Sequence, residues 1–337
     1  MPPIRVNIIS ESDGFEAQGV HTAFVDMVGA LKKRAEVEVL VNSKERADIL
    51  HAHTFGPSYW TKRHRYKGRR VMTAHVIPDS FKGSLVGWRL WMPVAERYLN
   101  FAYGSAEVVL AVAPHVKADL LRIGVKSRIE VLTNPVNVER FYVDPVRRVQ
   151  GRERLKLHPS ANVAVCVGQV QPRKGVSEFI ETARLCPDVQ FLWYGGRPFG
   201  SLTDAVKSLD AQIQAAPANV HFAGTVKLED MPYIYSAADL LFFPSWQENC
   251  ALAINEAMAC GIPLLLKDNP EYPPLYGSEN YLKASDPAGY GAQIRRLFDD
   301  PTLHAELSRR SVEVAGHFSV VKYADFLVGL YQGLIGA

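Results

Sequence analysis

The feature that most restricts how this chain folds is a rhythm played twice. Short β-branched runs, each of strand length, alternate with longer stretches of helical spacing. In the first half the predicted strands are Val6–Ser10, Val37–Val41, Ile49–His51, Arg70–Ala74, Val108–Val112 and Ile129–Leu132. After a polar, arginine-rich stretch (Asp144–His158), strands are predicted again at Val163–Val167, Val189–Tyr194, Val220–Phe222, Leu240–Phe243 and Pro263–Leu266. Helical spacing falls between them at Val20–Lys33, Val116–Ile123, Val176–Cys186, Asp204–Ala215, Glu229–Ala238 and Cys250–Cys260. Such alternation predicts an α/β chain with parallel sheets covered by helices on both faces. Two blocks in 337 residues predict two Rossmann-like domains, since one core stops growing at roughly 250–300 residues. Ligands of such sheets bind beyond the carboxyl ends of the strands, so a cleft between the domains is the expected site.

Charge divides the chain along the same line. Residues 1–140 carry 20 Lys+Arg against 14 Asp+Glu, and the remainder 18 against 21, so +6 faces −3. The halves are therefore expected to meet different partners. Four scattered cysteines, Cys166, Cys186, Cys250 and Cys260, lack metal-ligand spacing and read as reduced, buried thiols of a cytoplasmic protein. The start Met-Pro-Pro-Ile-Arg-Val enters a strand directly, which argues against a signal peptide. No run is long enough to span a bilayer, so any membrane contact is expected to be peripheral.

Two segments carry chemistry. One is Phe243-Pro-Ser-Trp-Gln-Glu-Asn-Cys-Ala-Leu-Ala-Ile-Asn-Glu-Ala-Met-Ala-Cys-Gly-Ile-Pro263, a strand, a turn and a helix. Glu248 stands at the turn and Glu256 eight residues on, about 12 Å away if helical rise applies throughout. That is too far for a glycosidase pair, so the two either grip the ends of one extended ligand or face solvent on a capped helix. The amides of Asn249, Cys250 and Ala251 are expected at the helix start, where anions bind well. The second segment, Val163-Ala-Val-Cys-Val-Gly-Gln-Val-Gln-Pro-Arg173-Lys174-Gly175, ends a strand in glycine and places a basic pair before a helix. That combination is a phosphate grip, although it is neither a Walker A sequence nor Gly-x-Gly-x-x-Gly.

Together these segments resemble the retaining family-4 glycosyltransferases of GT-B fold. The Glu-x7-Glu run with Glu-Ala-Met-Ala-x-Gly-x-Pro is the most specific match. Asp48-Ile-Leu-His-Ala-His53, Thr73-Ala-His75, Thr133–Phe141 and Ala237–Ser245 match as well. Within the family, His51-Ala-His-Thr-Phe-Gly-Pro-Ser58, Ala74–Ser84, Gly168–Val176 and Phe191–Gly196 resemble the glycosyl-diacylglycerol glycosyltransferases of Gram-positive bacteria and mycoplasmas. Gln169, where other members often carry Arg, agrees with that subgroup; Asn134-Pro-Val-Asn137 departs from the commoner Asn-Gly-Val-Asp.

The resemblance implies a role for each residue. Arg173 and Lys174 would hold the donor diphosphate, with Asn249, Cys250 and Ala251; Glu248 would meet donor-sugar hydroxyls and Glu256 the ribose. The backbone near Val226 would meet the base, Gly19 would let the backbone approach the substrates, and His75 would sit beside the transferred sugar. Residues 1–145 would form the acceptor domain, joined by a C-terminal helix (318–337) that crosses back to it, and 146–317 the donor domain. The implied reaction moves glucose or galactose from a UDP-sugar to a lipid acceptor, with retention, no metal and no cofactor beyond the substrate itself. Asp79 is a candidate to orient the acceptor hydroxyl, while His51, His53 and Trp246 read as structural.

The basic run Lys62–Arg70, with Lys62, Arg63 and Arg65, and the pair Trp88 and Trp91 suit a protein lying on the inner face of an anionic membrane. The same residues also suit a solvated helix face and a core. Nucleic acid is not expected, since no binding module accompanies the patch and the other half is acidic. A soluble or polysaccharide acceptor is the alternative within the same chemistry. A nucleotide-dependent dehydrogenase or epimerase is the alternative outside it, and requires a Gly-x-Gly-x-x-Gly where the sequence has only Gly14 and Gly19.

Overall fold

The computed structural model of the chain describes residues 2–11, 19–81, 88–197 and 206–336, apart from the side chains of 65, 88, 206 and 207. Gly14, Leu85–Gly87 and the side chains of Arg65 and Trp88 thus lie outside the described residues. The chain forms two compact units, one from Met1–Ser80, Leu90–Val136 and Phe318–Ala337, the other built on Asn137–His317.

The first unit holds β1 (Ile4–Ile9), β2 (Val37–Val41), β3 (Ile49–Ala52), β4 (Arg69–Ala74), β5 (Val108–Ala111) and β6 (Arg128–Val131). They form a parallel sheet in the order β2-β1-β3-β4-β5-β6. Side chains alternate across a strand, so Val6, Ile8, Ile49, Val71, Val108 and Leu110 share one face. Against that face pack Phe24, Met27 and Leu31 of the helix Gly19–Leu31, and Tyr323, Leu327 and Tyr331 of the final helix Val320–Gly336. The apolar C-terminal segment therefore finds its partner surface here, as expected.

The second unit holds β7 (Asn162–Val167), β8 (Val189–Tyr194), β9 (Val220–Gly224), β10 (Leu240–Phe243), β11 (Leu264–Lys267) and β12 (Leu282–Ala284). Their order is β12-β11-β10-β7-β8-β9, again all parallel. Phe179 centres its core, edge-on to Phe191 and Trp193 and stacked on Phe242.

The arginine-rich stretch is largely helical. Asp144 caps a helix, Pro145–Arg154, by accepting from the amides of Val146 and Arg147, and Pro145 takes the first turn, where its missing N–H costs nothing. Arg148 and Arg152 then bind the two oxygens of Asp239, at 2.5 and 2.8 Å, which ties this helix to the start of β10. The long stretch of the second unit begins after Val136 and ends before Phe318. The first-unit residues at its two ends are bonded to each other: Val136 N–H donates to the Phe318 carbonyl (2.7 Å) and Val320 N–H to that of Val136 (3.1 Å). All four cysteines are buried and none forms a disulfide. Among the described residues, no helix is long and apolar enough to cross a membrane.

Candidate active site

In the second sheet the chain leaves β7 toward β8 and β9, then returns to the opposite side for β10. A crevice opens at such a reversal, beyond the carboxyl ends of the two central strands. Both motif segments leave the sheet there. Beyond β7, Arg173 and Lys174 occupy a single 3-10 turn, Pro172–Lys174, followed by Gly175 in the left-handed region at φ +77°. A Cβ on Gly175 would collide with the Pro244 carbonyl, so only glycine lets this loop lie against the loop beyond β10. Trp246 N–H donates to the Arg173 carbonyl at 2.8 Å and stitches the loops together, with Ser245 Oγ 3.2 Å from the same carbonyl.

Three charges converge at this seam. Lys174 Nζ pairs with Glu248 Oε1, Arg173 Nη1 lies 3.9 Å from the same oxygen, and Ser245 Oγ donates to it at 2.5 Å. Arg173 is aimed by Gln171, whose Oε1 accepts from Nε at 3.2 Å, and by the Gln247 carbonyl at 3.0 Å. Glu248 is 8% exposed. Burial alone would raise its carboxyl, but Lys174, Arg173 and the Ser245 hydroxyl outweigh burial and hold it below the ordinary range. Lys174 is pushed down by burial, an effect that Glu248 opposes. Ser245 and Gln171 carry no signal in the sequence beyond membership of the two loops.

Glu256 is also buried, accepting at 2.8 Å from the Tyr235 hydroxyl, so neither glutamate faces solvent. The helix bearing it is Leu252–Ala259, two residues shorter at its start than the spacing suggested. Asn249, Cys250 and Ala251 therefore precede the helix, and the 12 Å helical spacing does not hold across the pair. Val226 is half-buried in the loop beyond β9. Trp246 shapes the turn, its Nε1–H donating to Glu178 at 2.7 Å.

In the first unit the sequence reversal lies between β1 and β3, and Gly19 opens the helix that follows β1. His51, on β3, is bonded to Tyr331 OH (2.6 Å) and Thr73 Oγ1 (2.8 Å); His53 just beyond β3 touches Met27 Sδ (3.1 Å) and His75 Nε2 (3.0 Å). These ring nitrogens serve one another and their neighbours, and among the described residues no such cluster is placed to hold a metal. Burial pushes His51 down to about 3, His75 to about 4 and His53 well below its usual value, so all three are neutral at pH 7. The unfolded chain protonates near 6.5, whereas the folded trio resists. Stability is therefore full above pH 6.5 and falls as pH drops toward 4, by at most about 1.4 kcal/mol per pH unit for each histidine. Denaturant midpoints followed from pH 7 to 4 should decline, and His51→Gln should flatten the decline. Asp79 is half-buried in the 3-10 turn Pro78–Phe81.

The basic run is divided. Lys62 and Arg63 lie on the helix Pro57–Arg65, but Arg69 and Arg70 are in β4, where Arg69 pairs with Glu107 at 3.1 Å. Trp91 is half-buried on the helix Trp88–Tyr103. The outward stripe of that helix is instead Leu90, Val94, Tyr98 and Phe101, of which Leu90 is 89% exposed and Val94 68%. Trp60 stacks on Phe101 with 5.1 Å between centroids, and the Arg63 guanidinium lies 5.4 Å from the Trp60 ring. An apolar ridge thus runs beside a basic helix.

Residues 37–140 match the family model described as Glycosyltransferase Family 4, and residues 161–300 that described as Glycosyl transferases group 1. The chain is 29% identical to the alpha-galactosylglucosyldiacylglycerol synthase of Streptococcus pneumoniae, over 98% of this chain and 89% of the relative. It is 26% identical to the processive diacylglycerol alpha-glucosyltransferase of Acholeplasma laidlawii, over 94% of both. Its fold is similar to a crystal structure of Anabaena HepE in complex with UDP and glucose, at TM-score 0.79 and 19% identity, covering 98% of this chain and 100% of that one.

Proposed function

The chain belongs to the family-4 and group-1 glycosyltransferases of GT-B fold, and from that premise we propose that it moves glucose or galactose from a UDP-sugar to a lipid acceptor, diacylglycerol or monoglycosyl-diacylglycerol, at a membrane surface. The observation that carries the donor half is the Arg173–Lys174–Glu248 cluster, its carboxylate buried, at the strand reversal of the second sheet. Two fixed cations suit a diphosphate, and they take the part that a divalent metal plays elsewhere, so the reaction is metal-independent.

Transfer proceeds with retention on the front face. The departing β-phosphate oxygen takes the acceptor's proton, while Arg173, Lys174 and the Asn249–Ala251 amides stabilise its growing charge. Glu248 and Glu256 position the sugar and ribose and form no covalent intermediate. Asp79 orients the acceptor hydroxyl.

Two observations favour a lipid acceptor. Relatives aligned over nearly the full length of both chains are named for glycolipid synthesis. The exposed Leu90–Phe101 stripe beside Lys62 and Arg63 also has the composition of an interfacial helix. The discriminating assay supplies labelled UDP-glucose or UDP-galactose with either glycolipid vesicles or soluble glycans. Label entering the lipid fraction supports the proposal, and label confined to soluble glycan overturns it. Leu90→Glu with Val94→Glu should weaken sedimentation with anionic vesicles about tenfold or more, given the apolar area withdrawn from the interface.

A further inference from the structure

The loop that carries Glu248 lies between two others, because β10 runs between β7 and β11 in the sheet. One residue of that loop, Trp246, is bonded to both sides. Its backbone N–H donates to the Arg173 carbonyl beyond β7 at 2.8 Å, and its indole N–H donates at 2.7 Å to Glu178, in the first turn of the helix Val176–Leu185. From the opposite side Asn269, two residues beyond β11, donates from Nδ2 to the Trp246 carbonyl at 3.0 Å. Trp246 is 47% exposed, so burial does little to hold it and these polar contacts set its place. Asn269 itself is buried, and its Oδ1 accepts from the Glu271 N–H at 3.2 Å. Those two partners fix which way the amide points, since a carbonyl only accepts and an N–H only donates. The Asn269 carbonyl also accepts from the N–H of Tyr272, a buried residue, so the brace stands on a firm base.

We propose that Asn269 is a positioning residue for the donor: it braces the Trp246–Glu248 turn against the β11 side and keeps Glu248 where a hexose hydroxyl meets it. The inference rests on the functional reading above, in which Glu248 positions the sugar. The need for a brace is electrostatic. Lys174 and Arg173 face the Glu248 carboxylate, and a diphosphate competes with that carboxylate for the same two cations. A turn tethered to the cation loop alone would shift as those side chains swing toward phosphate. The bond from Asn269 comes from outside that loop and holds the turn independently. Its effect therefore falls on the sugar and hardly on the nucleotide.

The test separates the two in the full-length chain. UDP affinity is measured by calorimetry, and transfer by steady-state kinetics, for Asn269→Ala and Asn269→Asp. Both variants should bind UDP within a few-fold of the wild type, while kcat/KM for the UDP-hexose falls about tenfold, roughly one lost hydrogen bond. Asn269→Asp carries a second readout. At pH 7 the new carboxylate turns only lone pairs on the Trp246 carbonyl, but once protonated it donates again. Burial beside a carbonyl favours that neutral form, so its activity relative to the wild type should recover as pH falls toward about 5. The ratio for Asn269→Ala should stay flat. Asp268 and Glu271 on the same loop, and Arg173, Lys174, Glu178 and Glu248 about the turn, are common to wild type and variant and divide out of that ratio. Equal loss of UDP binding and transfer would mark Asn269 as merely structural and overturn the proposal. Wild-type transfer by Asn269→Ala, or a flat ratio for Asn269→Asp, overturns it too. A wild type that binds no UDP and transfers no hexose from any UDP-sugar overturns the functional reading itself, and this role with it.

Discussion

Replacing Arg173 and Lys174 together by alanine should lower kcat by about 10³-fold or more, since removing a single donor to developing oxyanion charge commonly costs 10²–10³. The loss should fall on kcat as well as on donor KM, because charge builds on the diphosphate as the glycosidic bond breaks. The single changes need not add. Arg173 also donates to the Gln247 carbonyl and so shapes the loop that carries Glu248, whereas Lys174 meets Glu248 directly. Arg173→Lys separates charge from shape: it keeps the cation but not the forked contacts to Gln171 and Gln247. Steady-state transfer with the double variant checks the assignment, with circular dichroism as the control for folding. Activity within a few-fold of the wild type means that the diphosphate lies elsewhere.

Glu248→Gln should combine a stability loss with a catalytic one. The substitution leaves Lys174 buried beside Arg173 with no opposing carboxylate, and breaking a buried pair from one side costs about 3–5 kcal/mol. In the wild type the depressed carboxyl of Glu248 contributes stability that is full above its unfolded value and is lost as pH falls through the folded one. The variant should therefore be weaker at neutral pH yet lose less on acidification. Lys174, already lowered by burial, should fall further without Glu248, so the alkaline limb of the pH–rate profile should move toward neutrality. Unfolding midpoints at pH 7 and 4 together with that profile check both effects. A variant as stable as the wild type at pH 7 would show the pair to be ornamental.

How much of this was legible in the sequence depended on the range of the interaction. The strands were, because apolar runs such as Val189–Tyr194 and Leu240–Phe243 declare themselves within six residues. The helix Pro145–Arg154 was not, because its arginines answer to Asp239, over eighty residues away in the chain. The site divides in the same way. Its two segments were visible as loops with charges, but the burial of Glu248 depends on Lys174, 74 residues distant, and that of Glu256 on Tyr235, 21 residues distant. The tryptophans drew attention to the helix Trp88–Tyr103, yet its outward face is the i, i+4, i+8, i+11 row begun by Leu90, a stripe that only the direction of packing reveals.

The final helix sets an order of events during synthesis. Tyr323, Leu327 and Tyr331 close the core of a unit whose first strand begins at Ile4, so that core stays open until the helix Val320–Gly336, more than 300 residues later, has left the ribosome. The second unit is built chiefly on Asn137–His317 and can finish before the helix Val320–Gly336 is added. The half made first is completed last, and through the interval the part of its apolar face that the helix Gly19–Leu31 leaves open stays uncovered. For the nascent chain, that is the period of greatest exposure to aggregation and of greatest use for a chaperone.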